Sequence, residues 1–290
     1  VVWRDEQTLL AGLGDGKVLA LTDAGEGPQR IVREFAVPVH SLAIGPDGGT
    51  VRTAKVDTRT DDRVLGLIAA LEAVGLEWND VSDLVHGTTM VTNAIIENNM
   101  AEAALVATRG FSDTLAIGRQ NRRHLYHLDL EPKPVPQIPP DRRFEVDGRL
   151  DHTGAEIEPM CDESVARVVE EVVGSGVETV AVSLLHSYAD GAHENRVARI
   201  LRQRLPFVSV SHRVNPEARE YERTATTALS AGLMPLVGRY LDRLESICPE
   251  TTHLHLFHSA GGMASIQALR EAPLALAMSG PAAGVVAAST

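Results

Sequence analysis

The spacing of apolar residues changes character near residue 51. Before it, short runs of β type (Thr8–Ala11, Val18–Thr22, Ile31–Phe35 and Ser41–Ile44) alternate with turn clusters such as Gly14-Asp15-Gly16 and Pro46-Asp47-Gly48-Gly49, with no helical period. After it, strand and helix patterns alternate. Val51–Val56 reads as a strand. Thr60 or Asp61 can cap a helix with Val64, Leu67, Ile68, Leu71 and Val74 on one face. Leu84–His86 is a brief strand leading through Gly87-Thr88-Thr89 into a helix that carries Val91, Ala94 and Ile95. Ala103–Thr108 has the character of a buried strand. Five prolines between Leu130 and Pro140 rule out a helix there and predict an extended surface connector. Arg143–Val146 and Gly148–Ile157 predict a small hairpin with a His152-Thr153-Gly154 turn.

Further on, Asp162 can cap a helix with Val165, Val168, Val169, Val172 and Val173 on one side. Val177–Leu185 is the strongest buried strand, Ala192–Leu205 is amphipathic and Phe207–Ser211 is extended. Pro216 suits the first turn of a long helical stretch to Ile247, which Gly232 and Pro235 are expected to kink or split. His253–His258 reads as a strand, Ser265–Glu271 as a helix and Leu274–Met278 as a strand. Ser279-Gly280-Pro281 is a helix start with serine as the cap. The alternation predicts an α/β fold, a sheet with helices on both faces.

Composition narrows this picture. The 290 residues suffice for one large domain or two ordinary ones, and with only 4% aromatic residues the core must be aliphatic. A net charge of −12 argues against a nucleic-acid partner. Cys161 and Cys248, without a CxxC or a Cys/His cluster, indicate neither a disulfide framework nor a zinc site and suit a reducing, cytoplasmic compartment. Val1–Gly12 carries Arg4, Asp5 and Glu6 and is no signal peptide. Ala272–Thr290 is uncharged but broken by Pro273, Gly280, Pro281 and Gly284, so no membrane span is expected. The absence of an initiator Met and the stop within an apolar segment point to a fragment.

Three tripeptide-scale segments set small or hydroxylated residues between a strand and a helix: His86-Gly87-Thr88-Thr89, Ser259-Ala260-Gly261-Gly262 and Ser279-Gly280-Pro281. Unpaired N–H groups and the helix dipole favour an anion there; each also reads as an ordinary capped turn. Between Gly118 and Arg123, Arg119 and Arg122 can grip a carboxylate or phosphate while Gln120 and Asn121 read an amide. A solvated basic loop is the alternative. Glu217, Arg219, Glu220, Tyr221, Glu222 and Arg223 form a charged helix start, either surface ion pairs or acid/base groups. His186 and His193 read as structural histidines rather than a metal pair.

Taken in order, VHGTTMVTNAIIE (85–97), LVATRGFSDTLAIGRQNRRHLYHL (105–128), AVSLLHSYADGAHE (181–194), PEAREYERTATTA (216–228) and MSGPAAGV (278–285) resemble the motifs of the hydantoinase A/5-oxoprolinase family. The resemblance runs over about Val51–Thr290. It implies an actin-like (sugar kinase/heat-shock ATPase) fold, incomplete in this chain, behind a short N-terminal β meander. It also implies ATP and Mg2+ as cofactors, phosphorylation of a carbonyl or enol oxygen, and opening of a small cyclic amide of the hydantoin or 5-oxoproline type. A hydantoinase B-type subunit often accompanies such chains, and a homo-oligomer stays open. The acetone/acetophenone carboxylase branch shares the motifs; a non-catalytic interaction protein is the remaining alternative.

Three divisions follow: a β-rich segment at 1–50, the family's N-terminal region at 51–208, and the start of the hydantoinase A domain at 209–290. Carried onto this sequence, the resemblance gives His86, Glu220 and Arg223 catalytic roles. Arg119, Gln120, Arg122 and Tyr221 hold substrate, and Gly87, Thr88, Thr89, Gly261, Gly262, Ser279 and Gly280 hold the nucleotide. No residue is assigned to a metal. The family's Asp-x-Gly-Gly-Thr phosphate hairpin has no counterpart: Gly48-Gly49-Thr50 reads as a turn, and the chain ends before a second such motif is due. Residues 1–50 weakly resemble one WD-repeat blade, which alone cannot close a propeller; an antiparallel meander is the plainer reading.

Overall fold

The computed structural model describes the strand backbones within residues 8–54, and residues 56, 63–81, 83–121, 126, 135–260 and 262–279. The chain divides into two compact units, Val1–Asn99 with Val237–Thr290, and Met100–Leu236, so the second is inserted into the first.

The N-terminal β runs form as the sequence suggests. β1 (Thr8–Gly12), β2 (Lys17–Thr22) and β3 (Gln29–Glu34) make an antiparallel meander, Thr8 opposite Thr22 and Lys17 opposite Glu34. β4 (Ser41–Ile44) pairs antiparallel with β5 (Val51–Ala54), Ile44 against Val51. Gly48-Gly49-Thr50 falls between these two strands and outside the described residues. Helix α1 (Arg63–Ala73) buries Val64, Leu67, Ala70 and Leu71, a three-and-four spacing that puts one stripe inside. β6 (Asp83–His86) and α2 (Met90–Ile96) complete this part of the first unit.

The inserted unit is built on a parallel sheet. Its elements are β7 (Ala103–Thr108), α3 (Thr114–Ile117), β8 (Arg143–Val146), β9 (Arg149–Leu150), β10 (Glu156–Glu158), α4 (Asp162–Gly174), β11 (Thr179–Ser183), α5 (Ala192–Leu201), β12 (Phe207–Val210), α6 (Ser211–Val214) and the start of α7 (Glu220–Ile247). The strands lie in the order β12-β11-β7-β8, each neighbouring pair parallel. Alternation along the strands separates two cores. Ala104, Val106, Val180, Val182, Val208 and Val210 meet the valines of α4 and the apolar face of α5. Ala103, Leu105, Ala107 and Ala181 face the other way, towards Leu115, Ile138 and the α7 residues Ala228 and Ala231.

Small residues on both sides let α7 approach that face closely. The Thr179 hydroxyl donates to the Ala231 carbonyl at 2.8 Å, and the Ala101 amide donates to the Gly232 carbonyl at 2.9 Å. A Cβ on Gly232 would fall 3.2 Å from the Ala101 carbonyl oxygen, so the glycine marks a tight contact. It does not split the helix: α7 runs from Glu220 to Ile247 with Pro235 inside it. Burial of Leu233, Val237, Leu241 and Leu244 along its length outweighs the hydrogen bond that Pro235 cannot make.

Other expectations need correction. Arg143–Val146 does not form a hairpin with the following segment; β8 joins the parallel sheet beside β7, and the hairpin is β9 with β10. Its turn is held by the Asp151 carboxylate, which accepts from the Thr153 and Ala155 amides at 2.8 and 3.0 Å. Cys161, not Asp162, is the cap residue of α4, and Asp162 sits in the first turn.

In the remainder of the first unit, β13 (His253–His258) pairs parallel with β6 and antiparallel with β14 (Gly262–Ala264). Ser265 caps α8 (Ile266–Glu271), its hydroxyl accepting from the Ala268 amide at 3.3 Å. Leu274–Met278 is not a strand. Pro273–Leu276 forms a 3-10 turn, because proline fixes the φ with which a tight turn begins. No helix among the described residues is long and apolar enough to cross a membrane.

Candidate functional site

Two of the expected segments meet at one sheet edge of the first unit. β6 and β13 are parallel neighbours, so their C-terminal ends, His86 and His258, lie on the same side, where α/β folds commonly receive ligands. From His86 the chain turns through Gly87-Thr88-Thr89 into α2. The Thr88 hydroxyl accepts from the Met90 amide at 3.2 Å and so stabilises the helix start. The Ser279 hydroxyl donates to the Thr88 carbonyl at 3.0 Å, and the Met278 amide donates to the Thr92 hydroxyl at 2.9 Å. His86–Thr89 and Met278–Ser279 are therefore bound together. Ser279 is fully buried and braces this junction, whereas Thr89 is exposed.

The third segment differs. Ser259–Gly262 joins two strands, β13 and β14, so the helix-terminus argument for anion binding does not apply to Gly262. His258 Nδ1 accepts from the Ala260 amide at 3.1 Å, and the His258 ring packs against Gly262. Gly261 and Gly280 lie outside the described residues. A residue that sequence reasoning missed completes the edge: the Tyr240 hydroxyl of α7 is hydrogen-bonded to His86 Nε2. The two are 154 positions apart, and no local pattern could pair them.

In the inserted unit, Arg119 and Gln120 follow α3. Gly118 (φ 61°) and Gln120 (φ 55°) both take left-handed backbone conformations and turn the loop sharply. The Arg119 guanidinium lies 5.5 Å from the centre of the Tyr221 ring, and its Nε donates to Glu222 Oε1 at 2.6 Å. That hydrogen bond pushes the Arg119 pKa up and holds the Glu222 carboxyl below its usual range. Such an exposed pair adds little to stability. Arg122 lies outside the described residues.

Arg223 and Glu220 sit one layer deeper. Arg223 is wholly buried. Its Nε donates to the Ser211 hydroxyl at 3.0 Å, and its terminal nitrogens donate to the Glu217 carbonyl at 2.8 Å, the Leu184 carbonyl at 3.0 Å and the Glu220 carboxylate. Glu194, also wholly buried, accepts from the Leu184 amide (2.8 Å), the Ser211 hydroxyl (2.6 Å) and the His212 amide (3.0 Å), and bonds His212 Nδ1 at 2.6 Å. These groups knit the ends of β11 and β12 to the start of α7. His193 pairs with Glu156 at 2.8 Å.

Backbone strain points to the same segments. Four described non-glycine residues have positive φ: Asn98, Gln120, His186 and Met278. Asn98 closes α2, a position that tolerates this conformation. The other three fall within or beside the motif segments, and strain of this kind concentrates at functional sites. Among the described residues, no three of His, Cys, Asp and Glu assemble to hold a metal ion.

Two family models match successive stretches of the chain. Residues 41–205 match the family model for the hydantoinase/oxoprolinase N-terminal region, and residues 223–290 match that for hydantoinase/oxoprolinase. The N-terminal match takes in β4 as well as β5; the propeller-blade likeness of the first residues finds no support. Caprolactamase subunit alpha of Pseudomonas jessenii is 31% identical over 249 residues, covering 81% of this chain and 36% of its own length. The crystal structure of ATP-dependent caprolactamase from Pseudomonas jessenii matches with a TM-score of 0.69 at 26% identity, over 94% of this chain and 38% of that one. Nucleotide-free acetone carboxylase matches with a TM-score of 0.70 over 96% of this chain and 40% of that one; at 21% identity it bears on the fold alone. The fold is α/β and actin-like. The chain spans about a third of the relatives' length. With one family model covering more than half of its residues, the chain belongs to the hydantoinase/oxoprolinase family.

Proposed function

We propose that the chain is part of an ATP-dependent hydrolase that opens a small cyclic amide of the hydantoin or 5-oxoproline type. The observation that carries this reading is the contact of Arg119 with Tyr221 and Glu222, with Gln120 next to Arg119 in the chain. A planar ring amide presents one carbonyl acceptor and one N–H donor beside a flat face. Gln120 offers the matching donor and acceptor, and the Tyr221 ring offers a surface for stacking. With Nε committed to Glu222, the terminal nitrogens of Arg119 are its donors for a substrate oxygen. Arg122 belongs to the same proposed set.

The hydroxyl and backbone donors of the His86–Thr89 edge fit a nucleotide phosphate. Thr88 accepts from Met90 and keeps its hydroxyl proton to donate, and Thr89 is exposed. Bound ATP would supply a phosphoryl group to the amide oxygen and so activate the carbonyl carbon towards water; the ring opens when its C–N bond breaks and the nitrogen leaves as a protonated amine, with phosphate released by hydrolysis. Gly87, Gly261, Gly262 and Gly280 complete the proposed nucleotide set, with Ser279 holding the Thr88 carbonyl. His86 and Glu220 are the proposed proton-handling groups. Arg223, its donors turned inward, keeps Glu220 in place. No described residue is assigned to Mg2+, which would enter with the phosphates. A B-type partner subunit is part of the proposal, since the caprolactamase relative is one subunit of its enzyme. Carboxylation is the second reading, since the acetophenone carboxylase gamma subunit of Aromatoleum aromaticum is also similar, 30% identical over 75% of this chain.

The test is titration calorimetry of the purified chain with Mg-ATP, with and without 5-oxoproline or hydantoin. Saturable binding strengthened by the cyclic amide is expected, and a folded sample that gives no heat overturns the reading. Arg119→Ala should weaken the effect of the amide and keep native melting. An unchanged amide effect would remove Arg119 from the substrate site.

A further inference from the structure

The strand order of the inserted unit, β12-β11-β7-β8, places a topological switch between β7 and β11. The chain leaves β7 towards β8 through α3, whose Leu115 packs with Leu105 and Ala181 on one face of the sheet. It leaves β11 the other way, towards β12, through α5, whose Val197 and Leu201 pack with Val180 and Val182 on the opposite face. Neighbouring loops that part to opposite faces leave a crevice at the carboxyl ends of their strands, where α/β sheets take ligands. Helix α7 begins at that edge. Thr224 meets Ser183, the last residue of β11, at 2.8 Å, and further along the helix the Ala231 carbonyl meets Thr179, the first, at 2.8 Å. Tyr221 stands one turn before Thr224, so Tyr221 and the Arg119 beside it lie at the same edge.

The loop after β11 is held from three sides. The Leu184 amide donates to Glu194 of α5 at 2.8 Å, the Leu185 amide to the Thr108 hydroxyl of β7 at 3.0 Å, and the His186 amide to Glu220 of α7 at 3.5 Å. Within this clamp His186 takes a φ of 60°. A non-glycine residue keeps that conformation only where its surroundings impose it. The His186 ring is half-buried, with Nδ1 3.4 Å from the Tyr188 hydroxyl. Among the described residues Nε2 has no hydrogen-bond partner, and it is not one of the buried polar atoms left unpaired, so it is open to solvent.

We propose that His186 is a further substrate-binding residue, presented at the switch crevice by the clamped loop and meeting the cyclic amide through Nε2. This role rests on the reading of Arg119 and Tyr221 as the substrate site. An imidazole nitrogen can donate to the ring carbonyl or accept from the ring N–H, whichever the bound orientation presents. The three amide bonds fix the loop before the ligand arrives, which lowers the ordering cost of binding.

The experiment is a titration of the full chain with 5-oxoproline and with hydantoin in the presence of Mg-ATP. It is followed by calorimetry and by the carbon–proton signal of the His186 ring, assigned by its loss in His186→Asn and His186→Gly. Asparagine and glycine both accept a left-handed backbone, so these variants keep the loop and remove the ring. The wild-type signal should shift saturably with the amide. Both variants should melt as the wild type does and bind the amide about tenfold more weakly, the loss of one hydrogen bond of ordinary strength. Amide binding that leaves the His186 signal unmoved, or undiminished affinity in a folded variant, overturns the proposal and leaves the Arg119–Tyr221 reading standing. A wild type that binds no amide sinks that reading, and the His186 role with it.

Discussion

Arg223→Met removes every donor from the buried guanidinium while keeping much of its bulk. In the native protein that guanidinium makes four hydrogen bonds, two of them to the Leu184 carbonyl and the Ser211 hydroxyl. Both residues are buried, so water cannot readily replace the lost donor. Each such loss costs roughly 1–3 kcal/mol. The Glu220 carboxylate is 29% exposed and can recover hydration, so its share is discounted. Ser211 keeps its bond to Glu194, which limits its share too. The sum is about 3–5 kcal/mol, the range found when one partner of a buried ion pair is removed. At roughly 2–4 °C per kcal/mol for a domain of this size, the melting temperature should fall by about 10 °C. Thermal and urea unfolding followed by circular dichroism would measure it, with the exposed Arg219→Met as the matched control, expected to stay within about 0.5 kcal/mol of wild type. An Arg223→Met protein that melts within about 2 °C of wild type would refute the bracing role, since that role requires at least one uncompensated buried acceptor.

Gly191→Ala tests the same network from another side. A Cβ there would fall 2.5–2.7 Å from three atoms of the His212 ring, which Glu194 holds in place. The expected cost is about 1–3 kcal/mol in urea unfolding, and an unchanged midpoint would mean that the ring swings aside freely. Ser112→Ala tests a pH dependence. The Ser112 hydroxyl donates to Glu145 Oε1 at 2.6 Å and is the main reason the Glu145 carboxyl titrates below its usual range. Because the folded pKa is the lower one, this contribution is fully present above the unfolded value of about 4.3 and is lost as the pH falls through the folded value. The alanine variant should raise the Glu145 pKa in a carboxyl-carbon titration and flatten the acid loss of stability; an identical titration curve would remove Ser112 as the cause.

The sequence resolved those elements whose pattern is both local and unambiguous. The valines at 165, 168, 169 and 172 mark the inner face of α4, and all four are buried. The aliphatic run at 103–107 marks a strand covered on both sides, and it lies inside the parallel sheet with every residue buried. Pairing is a different matter. Nothing in Arg143–Val146 states that its partner is β7 rather than the segment after Gly148, because a short strand carries its own face pattern but not its neighbour's identity. Leu274–Met278 failed for a related reason: four or five apolar residues fit a strand and a tight helical turn equally well, and Pro273 decided for the turn.

The candidate site divides along the same line. Motif order located His86–Thr89, Arg119–Gln120 and Glu220–Arg223, and backbone strain at Gln120, His186 and Met278 falls in or beside the motif segments. What order cannot express is depth. Glu220, Tyr221, Glu222 and Arg223 are consecutive and look like one charged helix start, but helical geometry sends them in different directions. Glu222 meets Arg119 in solvent, whereas Arg223 turns inward to Leu184 and Ser211. Partners of these groups, such as Glu194 for Ser211 and Tyr240 for His86, come from elsewhere in the chain. A charge in a motif therefore becomes a ligand-binding group or a brace according to contacts that only the fold supplies. For this reason melting and ligand affinity should respond in opposite order to Arg223→Met and Arg119→Ala.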